Sequence, residues 1–429
     1  MLYSPVGGWL RCAHIDHQNV KQMLNTNLQG GFLMRLCASV FALAVLSPLS
    51  ALAQDAPPPA PVAVEAAPPA AAPVVAAPAA APVVVPAAVA AAPTPAKTWK
   101  DLITIDGLVD SYYMYNFSGT GPNKSLVPAA GRQFDTNSNT FTLNYAKIGI
   151  GMSSDNVALR MDLGYGSMGN IINAAAQPFL AQQAFMSVTP VPNFTIDFGK
   201  FMTTAGAEVI EANKNWLYSR SILFFNIPLV HTGLRLNYKI NDMVSVQGSV
   251  VNGWNGQGFE VDANEAKTFG LNATITLPMG VAILPTVYIG KEAGSTSTRF
   301  LGDLVATYAM GPLGLNLNFD YIQDKNEMVG GGINPFLGVA LMAHYAVSDK
   351  LNVTARGEYA QQKPLVGDTA KLEEFTIGLA APIAGHFEVR PEIRADFSSP
   401  ALFNEAIDPM MPNFKKTQVT ALVAGLAYF

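Results

Sequence analysis

The segment FEVRPEIRADF, residues 387–397, alternates strictly between apolar and charged side chains. Its odd positions, from Phe387 to Phe397, are apolar, and its even positions, from Glu388 to Asp396, are all charged. Because successive side chains of a strand point to opposite faces, a strand here would be apolar on one face and charged on the other. Ordinary sheets confine proline to their edges, yet Pro391 lies inside this pattern. The pattern indicates a strand with apolar surroundings on one side and water on the other.

The same alternation recurs along most of the chain after residue 97. The register of the apolar positions switches between Tyr145 and Ile148, which indicates a bulge. In the run at 178–190 the pattern does not show which side chains face inward and which face outward. The predicted strands are 102–117, 139–151, 156–166, 178–190, 194–203, 230–240, 243–253, 266–277, 280–291, 298–310, 313–325, 335–347, 350–361, 371–381, 386–397 and 414–429.

The connections between these strands alternate in length. Those after even-numbered strands are short, as at 241–242 and 348–349, and those after odd-numbered strands are longer, as at 118–138, 204–229 and 398–413. Short turns on one side, long loops on the other and an even strand count are typical of an outer-membrane barrel. A closed barrel also pairs every backbone polar group within lipid. The predicted fold is all-β, a transmembrane antiparallel β-barrel of about 16 strands over residues 98–429.

Composition narrows the class further. The chain has 429 residues, of which 50% are hydrophobic and 13% are charged, with a net charge of −5. This balance lacks the basic footprint of a nucleic-acid-binding protein. In soluble proteins roughly a quarter of the residues are charged, so this composition is not typical of an ordinary cytosolic enzyme. A helical membrane protein needs about 20 consecutive apolar residues per span, and no run approaches that length outside the N-terminal region and a proline-interrupted segment after it.

Residues 1–53 are predicted to be an upstream extension and a signal peptide. A basic start at Met34-Arg35 precedes an apolar core at 36–46, and Ala51-Leu52-Ala53 fits an A-x-A cleavage site. Cleavage would then fall between Ala53 and Gln54. An apolar helix of a folded domain is the alternative interpretation of this segment.

The chain has two cysteines, Cys12 and Cys37, and both precede the predicted cleavage site. The mature chain would therefore contain no disulfide, no thiol nucleophile and no thiolate metal site. We expect no cofactor and no metal.

Residues 54–97 form a segment in which alanine and proline dominate. Frequent proline blocks helix formation and removes backbone donors, so the segment is expected to be extended and polyproline-like. We interpret it as a periplasmic linker that can contact the cell wall.

The polar face of the predicted strands carries charges of both signs. Barrels of 16–18 strands enclose an aqueous channel, so these side chains are expected to face a watery lumen. A mixed, slightly acidic lining predicts passive passage of small hydrophilic solutes with at most mild cation preference, and separated rows of opposite charge would add a transverse field. The predicted pore-lining residues are Arg160, Asp162, Asp197, Arg235, Lys239, Asp320, Arg356, Glu358, Glu388, Arg390, Glu392, Arg394 and Asp396, with Asp106, Asp110 and Asp303 on the same face.

Several segments resemble the OmpL-like β-barrel porins of Gram-negative bacteria. They are DGLVDSYYMYNF (106–117), RMDLGYG (160–166), GKFMTTAGAEVIEANKNWLYSRS (199–221), HTGLRLNY (231–238) and VVNGWN (250–255). The resemblance implies an outer-membrane channel that contacts lipid. Analogy with general porins of this size suggests a homotrimer.

General porins fold their third external loop into the pore. By that resemblance, the loop at 204–229 is expected to narrow the channel through Glu208, Glu211, Lys214 and Arg220. The alternative is an ordinary external loop with solvated charges.

Two other classes of function compete with a porin. A barrel-embedded hydrolase of the Ser/His type needs a histidine at the lipid face, whereas His231 and His344 are predicted to face inward and His386 to lie in a periplasmic turn. A protease that uses carboxylates is a further alternative, because the chain has many Asp and Glu residues. The third class is a plugged or purely structural barrel. We interpret the chain as a non-enzymatic porin.

Overall fold

The computed structural model describes residues 102–118, 132, 134–168, 179–254, 265–292, 297–326, 332–364, 368–404 and 414–429. The predicted signal peptide, the cleavage between Ala53 and Gln54 and the linker lie outside these residues and stay predictions. No helix in the described ranges is long and apolar enough to cross a membrane.

The strands are β1 (Ile103–Asn116), β2 (Thr140–Ser153), β3 (Val157–Tyr165), β4 (Phe179–Val191), β5 (Phe194–Met202), β6 (Val230–Lys239), β7 (Val244–Val251), β8 (Thr268–Leu277), β9 (Val281–Glu292), β10 (Ser297–Met310), β11 (Leu313–Asn326), β12 (Gly332–Ser348), β13 (Leu351–Gln362), β14 (Ala370–Pro382), β15 (Phe387–Ser399), β16 (Phe403–Asn404), β17 (Phe414–Lys415) and β18 (Thr417–Tyr428). Strands β1–β15 and β18 form one closed barrel, in which β1 pairs with both β2 and β18. Strands β16 and β17 form a separate two-stranded ribbon. The prediction of a barrel with sixteen strands is confirmed.

The two faces of each strand differ as the alternation predicts. In β15 the even positions from Glu388 to Asp396 are buried inside the barrel, while Ile393 on the outer face is 57% exposed. Lipid would cover that outer face, where an apolar side chain is stable and an ion is costly.

Bulges in β2 and β4 interrupt the alternation. Asp110 pairs with Tyr145 and Ser111 with Leu143, so Asn144 is the extra residue of β2. This bulge lies one residue before the predicted switch of register. A second register shift, between β3 and β4, leaves Gln182 as the extra residue of β4. A bulge turns neighbouring side chains toward the same face, which is why the sequence pattern of β4 did not predict which of its side chains face inward.

The connection between β5 and β6, residues 203–229, turns into the barrel. It contains a 3-10 turn (Ala212–Lys214) and the short helix α1 (Ile222–Asn226). We call residues 203–229 the inward loop. Its apolar side chains, such as Leu223 and Phe224, are buried in the interior, where Phe224 belongs to the same apolar cluster as Ile322 and Phe336 of the wall. At Gly338 of β12 a β-carbon would lie 2.7 Å from Leu223 Cδ1, so the absence of a side chain there lets the loop approach the wall.

Candidate functional site: the barrel interior and the inward loop

The base of the inward loop is hydrogen-bonded to strands β10 and β11. The Gly206 amide donates to Asp303 over 3.1 Å, and the Ala207 amide donates to the Asn318 side-chain oxygen over 3.1 Å. Within a few residues the loop therefore reaches from β5 to strands that lie five and six positions away around the barrel.

Arg356 of β13 is the main ionic contact between the wall and the loop. Its guanidinium lies 3.0 Å from each of the carboxylates of Glu208 in the loop and of Glu358 and Glu374 in the wall. It also donates to the Ser219 carbonyl over 2.8 Å. All four charged side chains are buried. Buried charges are stable only when they are paired and hydrogen-bonded, so this network holds the loop in one position.

The charged row of β15 also binds the loop. Arg390 donates to the carbonyls of Ala212 and Asn215 over 2.7 Å each, and Arg394 donates to the Arg220 carbonyl over 2.6 Å.

The acidic residues of that row complete these contacts. Glu392 accepts hydrogen bonds from the amides of Tyr218 and Ser219, while Glu388 pairs with Arg390 and Asp396 with Arg394. The sequence predicts that these side chains face open water; the structure instead places them buried, in contact with the loop or with each other. Opposite charges alternate along β15, so this strand does not present a separated row of one sign.

Arg220 acts within the loop. Its guanidinium donates to the carbonyls of Val209, Ile210 and Tyr218, and it lies 5.5 Å from the centroid of the Phe134 ring. It is buried, so its role in the structure is to hold the two arms of the loop together.

The tip of the loop carries Glu211 and Lys214. Glu211 lies 3.0 Å from Lys147 of β2 and 3.3 Å from Lys214, whose side chain is 56% exposed. Burial by itself would raise the pKa of Glu211, but the positive charges of Lys214 and Lys147 lower that pKa below its ordinary value.

Tyr218 fastens the loop to β1. Its hydroxyl donates to Asp110 over 2.6 Å and accepts a hydrogen bond from the Asn144 amide over 3.1 Å. Complete burial, and after it the negative charge of Asp110, raise the pKa of Tyr218 well above its usual range. The bulge at Asn144 is what directs that amide inward.

A charged cluster lies beside the loop tip, where the short turns are. Arg160 of β3 lies 2.5 Å from both Asp106 and Asp162, and Lys147 is 3.4 Å from Asp106. A cavity of about 410 Å³ opens next to them. It is lined by Asp106, Gly107, Leu108, Lys147, Arg160, Asp162, Gln183, Asn213, Lys214, Tyr428 and Phe429.

The inward faces of β4–β8 differ from the wall that binds the loop. Arg235 and Asp197 form an ion pair there, 2.8 Å apart. Lys239 lies exposed at the turn end of β6, where it pairs with Asp242 at 2.7 Å. Half-buried neutral polar side chains fill most of the remaining inward positions: Gln183, Ser187, Thr189, Thr195, Asn237, Ser245, Gln247 and Thr274.

The predicted site residues therefore separate into groups. Arg356, Glu358 and the charged residues of β15 meet the loop, as do Glu208 and Arg220 from its own side. Asp320 is buried near the loop base, Arg160 and Asp162 line the cavity, and Asp197 and Arg235 lie on the wall away from the loop. Sequence reasoning missed Tyr218 and Trp216, of which Trp216 stacks on His344 at 5.0 Å. Their contacts join distant segments, so no local pattern indicates them.

A closed barrel of sixteen strands, with short turns at one end and an inward loop, defines the class of outer-membrane β-barrel porins. The family model described as "Putative beta-barrel porin-2, OmpL-like" matches residues 102–429. The chain belongs to this porin family, which places it in the outer membrane.

Solved structures agree on the fold. The anion-selective porin from Comamonas acidovorans shares 13% identity with a TM-score of 0.54, covering 76% of this chain and 99% of that chain. The outer-membrane channel DcaP of Acinetobacter baumannii shares 12% identity with a TM-score of 0.52, covering 76% and 97%. The trimer form of OmpT of Vibrio cholerae shares 12% identity with a TM-score of 0.52, covering 76% and 99%. No curated protein matches the chain.

Proposed function

We propose that the protein conducts small hydrophilic solutes by passive diffusion, with weak selectivity, through the part of the barrel beside the inward loop. The observation that carries this proposal is the uneven interior. The loop binds the wall from β9 through β15 to β2. On the side of the short turns, by contrast, the inward faces of β4–β8 are half-exposed and carry mostly amides and hydroxyls, although Ser249, Thr268 and Asn272 further along these strands are buried. Neutral polar groups exchange hydrogen bonds with water and solute without strong preference for either sign of charge.

The charges around the cavity support weak selectivity. Three cationic side chains, those of Lys147, Arg160 and Lys214, are matched by three carboxylates, those of Asp106, Asp162 and Glu211. Balanced charge at the narrow part of a channel favours neither cations nor anions strongly. In this proposal Glu211 and Lys214 at the loop tip narrow the channel, and Glu208 and Arg220 hold the loop in place.

A channel accounts for the histidines better than a hydrolase does. His231 is buried and stacks on Tyr288 at 4.7 Å, and His344 stacks on Trp216. His386 lies in the turn before β15, with its ring nitrogen 3.1 Å from the Tyr428 carbonyl. These rings serve packing, and we infer that the protein is not an enzyme.

A homotrimer is part of the same proposal. The OmpT structure of Vibrio cholerae named above includes a trimer form, and its barrel has the same fold. Chemical crosslinking in intact outer membranes would give a trimer band if the proposal holds and only the monomer band if it fails.

Single-channel recording tests the main proposal. Purified protein in a planar bilayer should give discrete conductance steps, and a salt gradient should give a reversal potential near zero. Protein that inserts yet gives no steps would indicate a plugged or structural barrel. Hydrolysis of esters or peptides that a single carboxylate or histidine substitution abolishes would indicate the hydrolase instead.

A further inference from the structure

The charged side chains beside the loop tip form one chain of ion pairs. Lys214 lies 3.3 Å from Glu211, which in turn lies 3.0 Å from Lys147. Lys147 lies 3.4 Å from Asp106, and Asp106 lies 2.5 Å from Arg160. Positive and negative charges therefore alternate from the tip of the loop to strand β3.

Exposure divides the members of this chain. Glu211 and Lys147 in its middle have side-chain exposures of only 1% and 2%, whereas Lys214 is 56% and Asp106 39% exposed. Lys214 and Asp106 both line the cavity of about 410 Å³. A solute in this cavity therefore meets an exposed cation and an exposed carboxylate that are separated by a buried ion pair.

The charges around the cavity also balance, with three cationic side chains and three carboxylates. A solute with a net charge would leave this partly buried cluster unbalanced, and uncompensated charge is costly where water is largely excluded. A solute that carries both an ammonium and a carboxylate group keeps the balance. Its carboxylate can bind Lys214 and its ammonium can bind Asp106, so that each end meets the opposite charge.

The size of the cavity suits a small solute of this kind. Small-molecule sites in proteins have volumes of roughly 300–1,000 Å³, which includes the volume found here. A free amino acid carries both charged groups on one carbon, whereas the ends of two extended residues are up to about 7 Å apart. Because Glu211 and Lys147 lie between Lys214 and Asp106, the spacing favours a dipeptide.

Two amide side chains line the cavity as well. Gln183 is fixed, since it donates to Asp162 over 2.6 Å and accepts a hydrogen bond from the Met202 amide over 3.1 Å. Asn213 precedes Lys214, and its side-chain oxygen has no hydrogen-bond donor among the described residues. This amide can therefore hydrogen-bond the peptide group of a solute.

We propose that the cavity beside the loop tip binds zwitterionic solutes of the size of a dipeptide, with the solute carboxylate on Lys214 and the solute ammonium on Asp106. The inference rests on the proposed channel function and names the class of solute that the narrow part of the channel holds. Glu211 and Lys147 act as positioning residues, because they keep the two exposed charges apart.

Recording of ion current through the full-length protein in planar bilayers tests this proposal. Diglycine is the zwitterionic probe, and N-acetylglycinamide is its uncharged isostere. N-acetylglycine keeps only the carboxylate, and glycylglycinamide keeps only the ammonium. We expect diglycine to reduce the current with saturation as its concentration rises, and we expect the three isosteres to show no saturable reduction at the same concentrations.

Variants locate the site. Lys214→Gln and Asp106→Asn should each raise the diglycine concentration for half-maximal reduction by about fivefold, as expected for the loss of one partly exposed ion pair. Lys239→Gln is the matched control, since Lys239 is also exposed and also pairs with a carboxylate three residues away, but lies outside the cavity. It should respond to diglycine as the wild type does.

Each contrary result has a distinct meaning. Wild-type protein that gives conductance steps but no saturable response to diglycine would overturn the inference and leave the channel function standing. Wild-type protein without conductance steps would overturn both. An equal response to N-acetylglycine or to glycylglycinamide would show that one charge suffices, and an unchanged response in Lys214→Gln would place binding elsewhere. Heat-modifiable gel mobility shows whether each variant is folded; if Asp106→Asn does not fold, Lys214→Gln and the isosteres decide.

Discussion

The Nη1 atom of Arg356 lies 3.0 Å from the Glu208 carboxylate, and this ion pair joins strand β13 to the loop that crosses the barrel. Both side chains are buried, and Arg356 also contacts Glu358 and Glu374. The Arg356 guanidinium therefore contacts three carboxylates, of which Glu374 also lies 3.7 Å from Arg394, and it is the ionic contact through which β13 holds the loop.

Arg356→Met is expected to destabilise the folded barrel by about 3–5 kcal/mol, because it leaves buried carboxylates without a counter-charge. The released loop should also alter single-channel conductance. The midpoint of heat-modifiable gel mobility measures the first effect. Lys239→Met is the control, since its ion pair with Asp242 lies at a turn with side-chain exposures of 48% and 96%, where an ion pair contributes little to stability. Equal midpoints for the two variants would contradict the anchoring role of Arg356.

Arg235→Gln is expected to increase cation preference. The substitution leaves Asp197 without its ionic partner on the wall away from the loop, and the uncompensated carboxylate attracts cations. The shift in reversal potential should be largest at low salt, where screening is weakest. The double variant Arg235→Gln with Asp197→Asn should return the reversal potential to the wild-type value. A single variant with unchanged selectivity would show that solutes do not pass this wall.

Ile393→Arg is expected to impair insertion by roughly 2–4 kcal/mol, the cost of a cation on the lipid face at the middle of the bilayer. The side chain of Ile393 points outward and is 57% exposed in the isolated barrel. Ile393→Leu keeps an apolar side chain and should insert like the wild type. Folding titrations in lipid vesicles measure the difference. Normal insertion of the arginine variant would mean that this face does not contact the bilayer core.

The stabilising effect of Glu211 should depend on pH. Its pKa in the folded protein is lowered from the ordinary value of 4.5 by Lys214 and Lys147, which outweigh the effect of burial. A group with a lowered pKa contributes stability above its unfolded pKa and loses it as the pH falls through the folded pKa. The difference in unfolding midpoint between wild type and Glu211→Gln should therefore be largest near neutral pH and shrink below 4.5.

A carboxylate on the outer face provides the control for this measurement. Glu373→Gln removes a negative charge at a half-buried position of β14, away from the loop. Its difference from wild type should not follow the profile of Glu211→Gln. If the Glu211→Gln difference stayed constant down to acidic pH, the ion pairs of Glu211 would not stabilise the loop.

Deletion of residues 60–95 should leave insertion and conductance intact. The segment is rich in proline and alanine, so it can supply few hydrogen bonds to a sheet. Bilayer recordings and gel mobility of the deletion variant check this. A product that fails to fold would show that the segment belongs to the barrel.

The sequence by itself determined the strands, the turns and, outside β4, the face that most side chains of the strands take. Alternation is a local property with a period of two residues, so Ile393 and Arg394 were assigned to opposite faces without knowledge of any distant contact. The bulge at Asn144 was visible as a switch of register, although displaced by one residue.

Only the tertiary structure decided what the inward charges do. Arg394 and Lys239 were both predicted to line the pore, yet Arg394 is buried against the Arg220 carbonyl, and Lys239 lies exposed at a turn beside Asp242. The contacts that hold the loop, such as Glu208 with Arg356, join segments far apart in the chain. Such contacts exist only after the barrel has closed, because closure brings the loop to the wall opposite the strands from which it starts.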